Sequence, residues 1–243
     1  MNSTSAPRLR LVDALRGFAV AQMVVYHFIY DLAYFGWIDL AMTRDQPWIA
    51  WRTAIVTQFL LLVGVGLVLR TSFKPSAADF WKRWAQIATA ALLVSLGSWL
   101  VFGQRFIYFG ILHFVAAALL IARPLLLLRA WNIALGAVCV LIGLAFTHEF
   151  FNTPPATIAG FMTFKPRTED YVPLFPWIGV VLIGAGLAAR WQRAQWRIPE
   201  ALKPLNERAP RWLLFLGTWA LTIYLVHQPI LLGAMSLLRK LGV

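Results

Sequence analysis

The chain has 243 residues, of which 60% are hydrophobic and 13% charged, and it carries a formal net charge of +12. It is too apolar for one water-soluble domain, and its basic residues fall in short stretches between long apolar runs, which points to membrane topology and anionic lipid rather than to nucleic acid. The single cysteine, Cys139, lies in an apolar run, which excludes an intrachain disulfide and a thiolate metal site.

Residues 1–10 are polar and small and are expected to form a flexible cytoplasmic arm whose Arg8 and Arg10 reach lipid phosphates. Its Asn2-Ser3-Thr4 matches a glycosylation sequon on what the charge count below makes the wrong side. The first apolar run, 11–37, has no small-residue cleavage site after it and is read as an uncleaved signal anchor. It is long enough to cross a bilayer, since about 20 residues cover the roughly 30 Å hydrocarbon core. Yet it carries Asp13, Arg16, His27 and Asp31. At about 100° per residue a helix brings position 27 to within roughly 20° of position 16, and 13 and 31 to within about 60° of both. A charged stripe of this kind cannot face lipid, where each charge costs roughly 2.5–3.5 kcal/mol, so it must face other helices or a wet cavity.

Further spans are predicted at 53–69, 84–102, 106–128, 131–147, 172–189 and 212–238. Trp48 and Trp51 in the first connection belong at a membrane interface, and Gly64 and Gly66 suggest a close helix contact. Pro124 marks a kink or the interface. The connection 148–170 is the longest, and 190–211 is strongly basic. About 15 of the 22 Lys and Arg fall on the side of the N-terminus and about seven on the other. The expected architecture is therefore all-α: a polytopic bundle of about seven transmembrane helices in one domain, 1–243, with a cytoplasmic N-terminus in a bacterial inner membrane.

That topology turns scattered polar residues into a layer. At 1.5 Å per residue His27 lies about 15 Å before the outer end of its span, His113 about 12 Å below Arg105, and His227 past the middle of the last span. Asp31 lies a turn further out than His27, and Asp170 at the outer mouth of the sixth span. The plain alternative for each histidine is an interhelical hydrogen bond. His27 with Asp31, at i and i+4, is the pair best suited to chemistry, because the carboxylate can orient the imidazole and leave its other nitrogen as a general base. No metal-binding spacing is present, and His148-Glu149 reads as a solvated pair. Arg16 either anchors the inner interface by pairing with Asp13 or aims a guanidinium at the phosphates of a polyanionic cofactor. Arg70, Lys74, Lys82 and Arg83 extend the same field, although topology alone accounts for them.

The segments RLVDALRGFAV at 10–20, YFGILHF at 108–114, PLFPWIG at 173–179 and IYLVHQP at 223–229 resemble the heparan-α-glucosaminide N-acetyltransferase catalytic-domain family in its short bacterial form. The spacing of Arg16 and His27 is also similar to that of the wider membrane O-acyltransferases. The resemblance covers nearly the whole chain. It implies transfer of an acetyl or other acyl group from cytoplasmic acetyl-CoA to a sugar or glycan acceptor on the far side. Asp13, Arg16 and Gly17 carry over by position, His27 is supported by the O-acyltransferase spacing, and the donor site is read as Asp13 and Arg16 with Arg70, Lys74 and Arg83 extending its basic field. His27, Asp31, His113 and His227 would be catalytic, and Asp170, Gln228, Trp177 and Arg105 would hold the acceptor. In the animal members the position matching His27 is Asn and the acetyl-carrying histidine falls where this chain has Ile38, so a covalent acetyl-histidine is not carried over. Expected partners are acyl-CoA, the acceptor, membrane lipid and a second copy of the chain, with no metal. The rival reading is a small-solute or proton-coupled transporter using the His27 and Asp31 stripe as a proton relay, against which no inverted repeat is visible.

Overall fold

The computed structural model describes residues 9–73 and 76–242. The arm over 1–8, with the sequon and Arg8, and the donor-site candidate Lys74 lie outside the described residues. Among the described residues there is no strand, and five helices are long and apolar enough to cross a membrane: Arg10–Tyr34, Gln46–Phe73, Ala77–Arg105, Ile111–Ala145 and Ala220–Lys240. The chain is a helical membrane protein. It divides into two compact units, one formed by Met1–Phe59 with Ile198–Val243 and the other by Leu60–Arg197.

In the first unit, helix α1 (Arg10–Tyr34) ends three residues earlier than expected. Gly36 sits at φ 77°, and the Gly36 and Trp37 amides bond back to the Ala33 and Leu32 carbonyls, the crossed pair that closes a helix on a left-handed residue. Helix α2 (Gln46–Phe73) starts seven residues before the expected span, because the interfacial Trp48 and Trp51 continue the helix instead of interrupting it. The basic connection contains a short helix, α7 (Lys203–Arg208), and in place of one last span there are α8 (Arg211–Thr218) and α9 (Ala220–Lys240). The break at Trp219 follows Thr218, whose hydroxyl donates to the Leu214 carbonyl at 2.8 Å and competes for the backbone there. Helices α1 and α8 pack backbone to backbone at Gly17 and Gly217, and Val20, Met23, Tyr26, Met42 and Ile55 form the apolar core beside them.

In the second unit, α3 (Ala77–Phe102) starts at a Ser76 cap whose hydroxyl accepts from the Asp79 amide at 3.3 Å. Helix α4 (Ile111–Leu125) begins later than expected, and α5 (Asn132–Ala145) and α6 (Trp177–Arg193) follow. These three have 15, 14 and 17 residues, each short of the roughly 20 that a perpendicular crossing takes. The chain between α4 and α5 does not bend at Pro124 alone: it kinks at Arg129, which leaves the helical conformation with φ 50° and ψ −122°. Helix α6 is the centre of the unit. Its Gly179 and Gly186 meet α5, and its Gly184 meets α2, where the close contact expected of Gly64 is made against the Val181 carbonyl.

Candidate functional site

The first unit brings His27, His227, Asp31 and Gln228 together. The imidazoles of His27 on α1 and His227 on α9 meet edge to face with centroids 4.9 Å apart, and Tyr26 stands against His27 at 5.9 Å. The Nδ1 atom of His27 lies 2.9 Å from the Met23 carbonyl. A carbonyl oxygen only accepts, so Nδ1 carries the hydrogen and Nε2 keeps the lone pair. The same reasoning applies to His227, whose Nδ1 donates to the Tyr224 carbonyl at 2.7 Å. Both rings therefore present basic Nε2 atoms.

Asp31 is 1% exposed, and its Oδ1 accepts a hydrogen bond from Gln228 Nε2 at 3.4 Å. Its Oδ2 and the Gln228 Oε1 are buried without a hydrogen-bond partner among the described residues. The expectation that Asp31 orients His27 is corrected here: a backbone carbonyl one turn back holds the ring, and Asp31 turns to α9. Burial of a polar carboxyl with half its acceptors unused is costly, which makes the place a candidate site.

Two polar residues of this unit escaped the sequence reading. Gln22 donates to Gln58 at 3.0 Å and accepts from the Trp51 indole at 3.2 Å. Uncharged amides inside apolar runs were the available signal. At the other end of the stripe Arg16 pairs with Asp13 at 3.1 Å and lies 3.4 Å from the Gly217 carbonyl. Arg16 thus makes the pair with Asp13 that the anchoring reading expected, through Nη1.

His113, Asp170, Arg105 and Trp177 belong to the second unit. Ser95 donates its hydroxyl hydrogen to the Ile107 carbonyl at 2.6 Å, so His113 Nε2, 3.0 Å from that hydroxyl, is the donor between them. His113 Nδ1 then accepts from the Gly110 amide at 3.3 Å. Asp170 Oδ2 accepts from the Ile111 amide at 2.9 Å. Together the two residues cap the N-terminus of α4, whose first amides would otherwise be unsatisfied. This is why α4 starts at Ile111, and it gives both ring nitrogens of His113 a structural use. Arg105 forms an ion pair with Glu169, and Trp177 opens α6. Nearby Tyr171 donates to the Thr157 carbonyl. Burial pushes its hydroxyl far above the ordinary tyrosine value and Tyr108 pushes the same way, so it remains a donor. Arg70 is exposed at the end of α2, and Arg83 bonds to Gln86 on α3 at 3.3 Å.

Long apolar helices that bring together two imidazoles and a buried carboxyl define the class, a polytopic helical membrane protein. The chain belongs to the family described as heparan-alpha-glucosaminide N-acetyltransferase, catalytic, whose model matches residues 8–229. That range is nearly the whole chain and contains each of the four segments that carried the resemblance, and the family makes the protein a membrane acetyltransferase. No curated protein and no solved structure matches it.

Proposed function

We propose that the protein transfers an acetyl group from cytoplasmic acetyl-CoA to an amine or hydroxyl of a sugar or glycan acceptor on the periplasmic side of a bacterial inner membrane, with His27 as general base. Family membership supports the reaction class. The observation that carries the base assignment is the Nδ1 bond from His27 to Met23, which leaves Nε2 as the acceptor beside His227. As the acceptor nitrogen or oxygen attacks the thioester carbonyl carbon, its proton passes to His27 Nε2. The carbon–sulfur bond then breaks, and the imidazolium returns the proton to the departing CoA sulfur. Asp31 and His227 provide the polar surroundings in which a cation on His27 is tolerated. Gln228 is the proposed acceptor-binding residue of this unit.

Arg16 is the cation proposed for the CoA phosphates, and Arg70, Lys74 and Arg83 draw the polyanion to the cytoplasmic side. His113 and Asp170, with Arg105 and Trp177, are proposed as positioning residues, because their contacts shape the α4 and α6 N-termini. Losing one charge-assisted contact in Arg16→Ala should raise the Kd for CoA about tenfold, with a smaller effect on the rate at saturation. Calorimetric titration of CoA into the detergent-solubilised variant checks this, and an unchanged Kd removes Arg16 from the donor site.

The reaction class itself is tested by thermal stabilisation. Acetyl-CoA and CoA should raise the melting midpoint of the purified protein, whereas a transporter would respond to a small solute and ignore CoA.

The proposed topology is one domain with seven crossings and a cytoplasmic N-terminus, in which α4, α5 and α6 are short crossings and α8 with α9 is a broken one. Periplasmic thiol labelling, in a background with Cys139 replaced, should reach Lys165→Cys and spare Arg197→Cys. The reverse pattern would invert the site.

A further inference from the structure

A second polar pocket lies in the second unit, at the end where α2, α4 and α6 finish and α5 begins. It consists of an open hollow of about 560 Å³ lined by Thr71, Arg123 and Arg129, and an adjoining deeper one of about 170 Å³ that shares Thr71 and Arg129 and reaches Asn132 and Gln192. None of these residues takes part in the acetyl-transfer reading.

Its most telling member is Arg129. Its φ 50° and ψ −122° lie in a region that L side chains rarely enter, and Gly103 adopts nearly the same pair, φ 56° and ψ −120°. Where the end of α3 uses glycine for this backbone, the kink after α4 keeps an arginine. The conformation is held by Asn132, whose Nδ2 donates to the Leu125 and Arg129 carbonyls at 2.8 and 3.1 Å. Strain retained beside a pocket points to use of the side chain that is held there. The Arg129 guanidinium is exposed and has no partner among the described residues. Arg123, on the same rim, is stacked over the Phe80 ring at 4.1 Å, which fixes its plane and leaves its N–H edge available.

The second observation is independent of charge. Asn132 is 1% exposed and lines the deeper hollow, and its Oδ1 is buried without a hydrogen-bond partner among the described residues. The two Nδ2 bonds fix the amide orientation, so the atom presented is an acceptor. A bound group must therefore bring both an anion for the arginines and an N–H or O–H donor for Asn132. The open hollow also has an apolar lining residue, Leu127, which is 88% exposed, and Trp131, two residues beyond Arg129 in the chain, is 76% exposed, as suits acyl chains and a headgroup-level indole.

We propose that this pocket holds the headgroup of a membrane phospholipid. The phosphodiester lies on Arg123 and Arg129, the terminal ammonium of an ethanolamine donates to Asn132 Oδ1, and the chains run over Leu127. A basic pocket between helices at a membrane face is the form such sites take. Phosphatidylcholine offers the same phosphate and chains with no donor, so it isolates the Asn132 bond. The soluble phosphates of glycerophosphoethanolamine and of CoA isolate the source of the anion.

Native mass spectrometry of the full-length protein, released from detergent with equal amounts of phosphatidylethanolamine and phosphatidylcholine, reads the site. Retained phosphatidylethanolamine should exceed phosphatidylcholine by about fivefold, the weight of one net hydrogen bond. Arg129→Gly should abolish the adduct while leaving the melting midpoint in lipid-free detergent equal or higher, since glycine suits that backbone. Arg123→Gln should reduce the adduct independently. Equal retention of the two lipids, an adduct that survives both substitutions, or displacement of the lipid by glycerophosphoethanolamine or CoA at equal concentration would each overturn the proposal.

Discussion

Replacing His27 by alanine is expected to lower the rate of acetyl transfer about 10²–10⁴-fold, the range general-base catalysis supplies, while leaving CoA affinity within about twofold of wild type. The expectation rests on a bond and not on the mere presence of an imidazole. His27 Nδ1 is committed to the Met23 carbonyl, so Nε2 is the one atom of the ring that can receive a proton, and His227 stands at its edge. His227→Ala should cost less, because His227 supports the charge on His27 without itself meeting the acceptor proton. A steady-state assay with radiolabelled acetyl-CoA and a sugar acceptor separates the two. In the absence of acceptor no acetyl-enzyme should accumulate, because a general base takes a proton and forms no covalent intermediate. A stable label on His27 would replace direct transfer by a covalent route, and full activity in His27→Ala would return α1 to a structural role.

Much of this site was legible because one helix carries it. The 3.6-residue repeat alone placed Asp13, Arg16, His27 and Asp31 on one stripe of α1, and the structure keeps that helix unbroken from Arg10 to Tyr34. What holds each side chain was not legible. The bond that orients His27 goes to a backbone carbonyl, which has no residue identity to read. The partner of Asp31 is Gln228, 197 residues away. His113 looked like one more imidazole in a layer, but Ser95 and Gly110 turn it into a cap. The seven-span pattern followed apolar run length, which is blind to where a run kinks. Arg129 carries no turn signal, because the residue that normally marks such a backbone is glycine. Trp219 carries none either, and the split of the last run into α8 and α9 depends on it.

Gly17→Ala and Gly217→Ala are each expected to destabilise the protein by about 1–3 kcal/mol or more, the range of an overpacked core, and to lower the melting midpoint by several degrees. A Cβ added at Gly17 would lie 1.9 Å from the Leu213 carbonyl oxygen, and one at Gly217 would lie 1.8 Å from the Asp13 carbonyl oxygen. Both obstacles are backbone, so no side-chain rotation relieves them and α1 must move away from α8. That movement reaches the donor end of the stripe, because Arg16 reaches the Gly217 carbonyl across the same contact and pairs on its own helix with Asp13, whose carbonyl Gly217 meets. Weaker CoA binding should therefore accompany the lost stability, even though neither glycine has a side chain to offer a ligand. Gly97→Ala and Gly233→Ala are the matched controls: a Cβ at either meets nothing within 4 Å, and alanine is the better helix former by about 0.5–1 kcal/mol. Fluorescence-detected size exclusion after a heat ramp compares the four variants in one detergent. If Gly17→Ala melts with the controls, the close contact of α1 and α8 does not set the stability of this unit, and the placing of Arg16 must depend on something other than that contact.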